Sequence, residues 1–232
     1  RVLPGYYLQL LILLLVAWQA DGHWVIGGFG ELAGDLGMAF LPEPLGVAML
    51  NGVWWTLPIE FSFYLALPLL APLLHRRWLW LVLAVGLGAM GLWRWLTIQV
   101  WAAELAPAGR FQLGYQLPGS LDSFALGMAA AVIFRGGMAD WLAASPRCRE
   151  LVALTAIAVA GALLYWMHFG YRAYWTLAPI TFLWTPSFCL AVVAVVLGAA
   201  GGSTLLGGLL ANRPMLYLGT VSYGIYLWHN PI

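Results

Sequence analysis

Seven runs of about twenty mostly apolar residues, near 3–20, 56–74, 78–98, 115–134, 151–169, 178–199 and 215–232, leave this chain few ways to fold. About 20 such residues make one bilayer crossing. Hydrocarbon offers no water to backbone N–H and C=O groups, so each run is expected to be a helix that satisfies them internally. The expected fold class is all-α: a polytopic bundle of transmembrane helices forming one integral membrane domain over residues 1–232. Composition agrees, because 63% of the residues are hydrophobic and 8% charged, whereas roughly a quarter of a soluble domain is charged.

All ten basic residues are Arg, and nine acidic residues bring the net charge to +1. That leaves no electrostatic footprint for nucleic acid. With Arg1 inside, Arg76, Arg77, Arg135, Arg147, Arg149 and Arg213 share the cytoplasmic side, while Arg94, Arg110 and Arg172 fall outside or near the outer end. The positive-inside rule favours this orientation over its inverse. The cysteines, Cys148 and Cys189, read as free thiols. No grouping of His, Cys, Asp and Glu has the spacing of a metal site. Residues 21–52 are rich in Gly and Pro, carry Asp21, Glu31, Asp35 and Glu43, and break any helical pattern, so they read as a long outer loop. Gly198 and Gly202 form a small-xxx-small pair suited to close helix packing. Arg1 and Ile232 sit hard against apolar sequence, with neither an initiator Met nor a signal peptide, so a fragment cut at both ends is expected.

An ionisable side chain at the centre of a span costs about 2.5 to 3.5 kcal/mol on insertion scales, which makes each one a functional candidate. Glu60 stands in WWTLPIEFSFYLALPLL, one turn into its helix, with Thr56 as a plausible cap and Pro58 in the first turn. The dipole at that end softens the expense of a carboxylate, so a purely structural Glu is the competing reading. Tyr64, four residues on, is positioned to be its hydrogen-bond partner. In LGTVSYGIYLWHNPI, the spacing of Ser222, Tyr226 and His229 puts all three on one helical face. His229 has the side chain suited to proton transfer near neutral pH, or else it is an interface anchor beside Trp228. At about 1.5 Å per residue, Glu60 lies roughly 6 Å and Asp122 roughly 10 Å below the outer face. His229, about 21 Å above the inner start of its span, falls in the same outer half. Arg94, between two tryptophans, reads as a snorkelling side chain with cation–π contact and no catalytic role. Buried Glu, Asp and His could equally line a transporter's proton or substrate pathway. A non-catalytic component of envelope assembly is a further alternative.

Trp55-Thr56-Leu57-Pro58-Ile59-Glu60-Phe61-Ser62-Phe63-Tyr64 resembles the W-[ST]-L-x-[VI]-E-x-x-F-Y signature of the acyltransferase family 3 of multi-pass membrane O-acyltransferases. The stretch from Ser222 to Pro231 resembles that family's S-Y-x-x-Y-L-x-H-x-P signature. Leu121 to Gly127 resembles its L-D-x-F-x-x-G pattern, and Arg1-Val2-Leu3-Pro4 the tail of its R-x-x-R-[IV]-x-P element. The resemblance implies transfer of an acyl group, usually acetyl, from acyl-CoA to a hydroxyl of a carbohydrate or lipid-linked glycan acceptor in the bacterial envelope. It also implies residence in the cytoplasmic membrane. Glu60, His229 and Tyr226 are implied as catalytic-cavity residues, with Trp55, Tyr64, Asp122 and Ser222 around them. Arg1 is implied to bind the CoA phosphates, for which a bidentate guanidinium is suited. The family has ten spans and a catalytic His in the first of them. The present seven would then lack two spans before Arg1 and one after Ile232, and this piece alone is expected to be inactive.

Overall fold

A computed structural model describes residues 2–21, 29–40, 51–101 and 105–229. Every secondary-structure element among them is helical: α1 (Val2–Asp21), α2 (Phe29–Gly37), α3 (Leu57–Leu70), α4 (Leu79–Leu96), α5 (Pro107–Gly114), α6 (Leu121–Ile133), α7 (Ala139–Ala144), α8 (Pro146–Trp175), α9 (Thr181–Ala200), α10 (Thr204–Leu210) and α11 (Arg213–Trp228), with short tighter or wider turns between some of them. Among the described residues, five continuous helical stretches are long and apolar enough to cross a membrane: Trp54–Leu73, Arg76–Trp101, Leu117–Met138, Pro146–Trp175 and Thr181–Ala200. They coincide with five of the seven expected spans, most running past the expected ends. The first and last expected spans are helical as well, α1 and α11. The last is 16 residues long and closes at Trp228. Large apolar side chains line the outside, with Leu69 and Trp80 each 78% exposed, as suits a surface facing lipid rather than water. The chain is an integral membrane protein with an all-α, polytopic fold.

Small residues set how closely the helices approach. A Cβ added to Gly86 of α4 would lie 2.3 Å from the Ala125 Cβ of α6, so only glycine permits that crossing. On α9, a Cβ at Gly198 would lie 3.5 Å from the Cβ of Ala153 on α8 and 3.1 Å from Leu206 of α10. Gly202, the other half of the expected small-xxx-small pair, is used differently: it takes φ +82° in the turn into α10, a conformation glycine adopts without a steric penalty. Glu150 of α8 reaches across to that turn. It accepts from the Ser203 hydroxyl at 2.7 Å and the Thr204 N–H at 2.8 Å, satisfying donors that the start of α10 would leave orphaned.

The expectation that residues 21–52 carry no helix is corrected by α2. Its last-turn carbonyls are claimed from α1, where Tyr6 donates to the Asp35 carbonyl at 2.5 Å and Tyr7 to the Leu36 carbonyl at 2.8 Å. Those tertiary bonds offset the low helix propensity of three glycines. A buried cluster then joins Tyr6, Leu10 and Leu13 of α1 to Met38, Phe40, Trp54, Leu57 and Leu227. In this way the start of α3 and the end of α11 are brought side by side.

Candidate functional site

Glu60 occupies the first turn of α3, after Pro58, whose missing N–H costs little there. The Thr56 side chain does not cap the helix as expected, because its hydroxyl pairs with the Tyr226 hydroxyl of α11. Tyr226 also donates to the Val53 carbonyl. A phenol has a single proton, so Thr56 is the donor of their pair. Four residues after Glu60, the Tyr64 hydroxyl donates to Glu60 Oε1 at 2.5 Å. This is a charge-assisted contact on a half-buried carboxylate, and it leaves Oε2 unengaged by that tyrosine. The Glu60 charge also acts on Tyr223 and Tyr226, so α11 lies within its electrostatic reach.

α11 ends at this cluster. His229, just past Trp228, has Nδ1 2.6 Å from the Tyr226 carbonyl. A carbonyl only accepts, so Nδ1 carries the proton of this contact, on an exposed ring. The neighbouring Leu227 carbonyl, one of those a helix end leaves unpaired, accepts from Gln9 Nε2 at 2.6 Å and from Asn51 Nδ2 at 3.2 Å. Gln9 in turn accepts from Trp54 Nε1 at 2.7 Å, and Asn51 Oδ1 holds the Val53 N–H at 3.1 Å. Gln9, Asn51 and Trp54 are buried. These residues were missed in the sequence, although two uncharged amides, one of them in an apolar run, are a visible signal. Ser222 is on the helix face anticipated, but it is exposed and bonds its own Gly219 carbonyl at 2.9 Å. Trp55 packs edge-on to Phe111, with ring centroids 5.1 Å apart, against a hydrophobic cluster with Tyr115 and Leu177.

Asp122 stands elsewhere. It is fully buried in the first turn of α6, with Oδ2 3.9 Å from Arg94 Nη2 and Oδ1 accepting from Ser123 at 3.3 Å. Arg94 does not snorkel. It is 0% exposed and is held between α4, α6 and α9. Its Nε donates to the Gly119 carbonyl and its Nη1 to the Thr181 carbonyl, both at 3.0 Å. Nη1 also reaches Thr185 Oγ1 at 3.1 Å. The guanidinium lies 4.3 Å from the centroid of Tyr115 rather than over a tryptophan. Gly119 makes this possible: a Cβ there would fall 1.8 Å from the Gly114 carbonyl oxygen. Glu60, Asp122 and His229 are each held by a different partner: Tyr64, Arg94 and the Tyr226 carbonyl. Among the described residues no hydrogen bond links Asp122 to Glu60 or His229. Arg1, the expected phosphate ligand, lies outside the described residues.

The chain shares 63% identity over 30 residues with a Bacillus subtilis (strain 168) protein named "Putative peptidoglycan O-acetyltransferase YrhL". That stretch is 13% of this chain and 5% of the relative. No solved structure matches. A family model described as an acyltransferase domain matches residues 1–232, from one end of the sequence to the other, and by that match the chain belongs to the acyltransferase domain family.

Proposed function

We propose that the protein is a membrane O-acyltransferase that moves an acyl group, acetyl in the first instance, from acyl-CoA to a hydroxyl of a cell-surface carbohydrate or lipid-linked glycan. The observation that carries this reading is the hydrogen-bonded Glu60–Tyr64 pair inside a spanning helix of a chain matched throughout by an acyltransferase family. The relative's name, a peptidoglycan O-acetyltransferase, supports a glycan acceptor and acetyl as the group moved. In the reaction the acceptor O–H bond breaks, a new ester C–O bond forms and the thioester C–S bond breaks. The proton ends on the departing thiol.

That proton needs a carrier near the acceptor, which general acid–base catalysis supplies at about 10²- to 10⁴-fold in rate. Glu60 has a carboxylate oxygen left for the task, with Tyr64 holding the other. Its role is to orient the family's catalytic His or to shuttle its proton. Tyr226 fixes α11 against the start of α3, and His229 follows it by three residues, with Nε2 unpartnered among the described residues. Asp122 supports the packing through Arg94. Arg1 would hold the CoA phosphates on the cytoplasmic side of the cytoplasmic membrane, the side on which the positive-inside rule puts six of the other nine arginines.

The test is thiol release from acetyl-CoA by membranes containing the intact protein, with and without a polysaccharide acceptor. Acceptor-dependent thiol release with acetyl ester appearing on the glycan is the expected result. Glycan movement across the membrane without thiol release would replace this reading with transport.

A further inference from the structure

Away from Glu60, a cavity of about 490 Å³ opens between the start of α4 and the turn that ends α6. Arg76, Trp80, Ile133, Gly136, Gly137 and Trp141 are among the residues lining it, and among the described residues no carboxylate lines it. Arg76 is exposed and makes no hydrogen bond or ion pair among the described residues. Arg77 next to it is engaged over the Trp78 ring at 5.5 Å and does not line the space. Gly137 takes φ +111° where the α6 helix breaks, and a Cβ on Gly136 or Gly137 would meet nothing within 4 Å, so this wall is left open.

Antiparallel α4 and α6 put this cavity at the end of the bundle where Arg135, Arg147, Arg149 and Arg213 also lie, at or near the ends of α6, α8 and α11. An unpaired guanidinium at a membrane face suits a phosphate oxyanion. Trp80 and Trp141, 78% and 50% exposed, are side chains that seek the interface where headgroups lie. Leu79, Val132 and Ile133 supply an apolar wall. A charged rim above an apolar wall fits a phosphate that carries hydrocarbon chains.

We propose that this cavity is a binding site for the phosphodiester headgroup of an anionic membrane phospholipid, with Arg76 as its counter-ion. The site stands whatever the protein acylates.

The intact protein, purified in detergent, is titrated with phosphatidylglycerol and with phosphatidylcholine of the same chains, and retained lipid is counted by native mass spectrometry. Phosphatidylglycerol is expected to bind preferentially. Arg76→Gln should weaken it about fivefold, the worth of one arginine at a charged membrane surface. Gly136→Leu, which fills the open wall, should displace the lipid, whereas Arg77→Gln should change retention less than Arg76→Gln does. Excess inorganic phosphate or acetyl-CoA should leave the lipid in place. Parental retention in either Arg76→Gln or Gly136→Leu would overturn the proposal. So would displacement of the lipid by acetyl-CoA, which would make the cavity a donor site. Position 76 is exposed and position 136 has room for a side chain, so either variant alone decides the matter.

Discussion

Glu60 and Asp122 each stand in the first turn of a spanning helix, and the protein treats them differently. Asp122 is sealed from every side, and an arginine from α4 spends its other donors on the Gly119 and Thr181 carbonyls and Thr185. Glu60 is half-buried and held by one exposed tyrosine. A carboxylate with a buried, fixed counter-charge has no approach left for a substrate. One held at a single oxygen by an exposed tyrosine does. An ionisable residue inside a span is thus a sound signal of importance, but burial of its partner decides whether that importance is structural or chemical.

The largest effect is expected at the sealed pair. Arg94→Met strands a buried carboxylate and should lower stability by about 3–5 kcal/mol, read as thermal unfolding in detergent. Asp122→Leu in the same chain should recover much of that loss. Normal unfolding with abolished transfer in Arg94→Met would break the contrast, because Arg94 would then belong to the chemistry. Next comes Glu60→Gln, for which transfer should fall about 10²- to 10⁴-fold while unfolding moves by less than about 0.5 kcal/mol, as for surface sites.

Asp35 sharpens the comparison: like Asp122 it is buried, at 1% exposure, with one carboxylate oxygen lacking a hydrogen-bond partner, but among the described residues no ion pair holds it. Burial, helped by the nearby Glu31 charge, lifts its pKa from 3.8 to about 6. The folded state therefore holds this proton more tightly than the unfolded chain. The stabilisation is fully present below pH 3.8 and lost as pH rises through 6. The full swing is on the order of 3 kcal/mol. Unfolding of the parent should show this slope between pH 4 and 6, roughly the interval between the two pKa values, and Asp35→Asn should remove it. At the small end, Tyr64→Phe removes one hydrogen bond to Glu60, worth about 1 kcal/mol, and should cost no more than about tenfold in transfer.

Much of the bundle was legible because lipid imposes a simple rule, about twenty apolar residues to a crossing, and the runs from 56 to 199 obey it. The Glu60–Tyr64 contact was legible too, since a four-residue spacing on one helix fixes neighbours without tertiary information. The rest depends on contacts between distant segments. Nothing in GLWRWL reveals that Arg94 will meet Asp122, 28 positions later in the sequence, or stack on Tyr115. Thr56 looked like a cap because local sequence cannot show that Tyr226 will compete for its hydroxyl. The glycines of Phe29–Gly37 argued for a loop until two tyrosines of α1 anchored its carbonyls. Gln9 and Asn51 become meaningful only when α11 ends between them.

The most direct measurement is acetyl transfer by the intact Glu60→Gln protein in membranes, with thermal unfolding of the same preparation. A loss of at least about 100-fold in rate at unchanged unfolding temperature is the result expected if this half-open carboxylate carries the proton chemistry. Transfer at the parental rate by the folded variant would contradict that role and leave Glu60 a structural residue like Asp122.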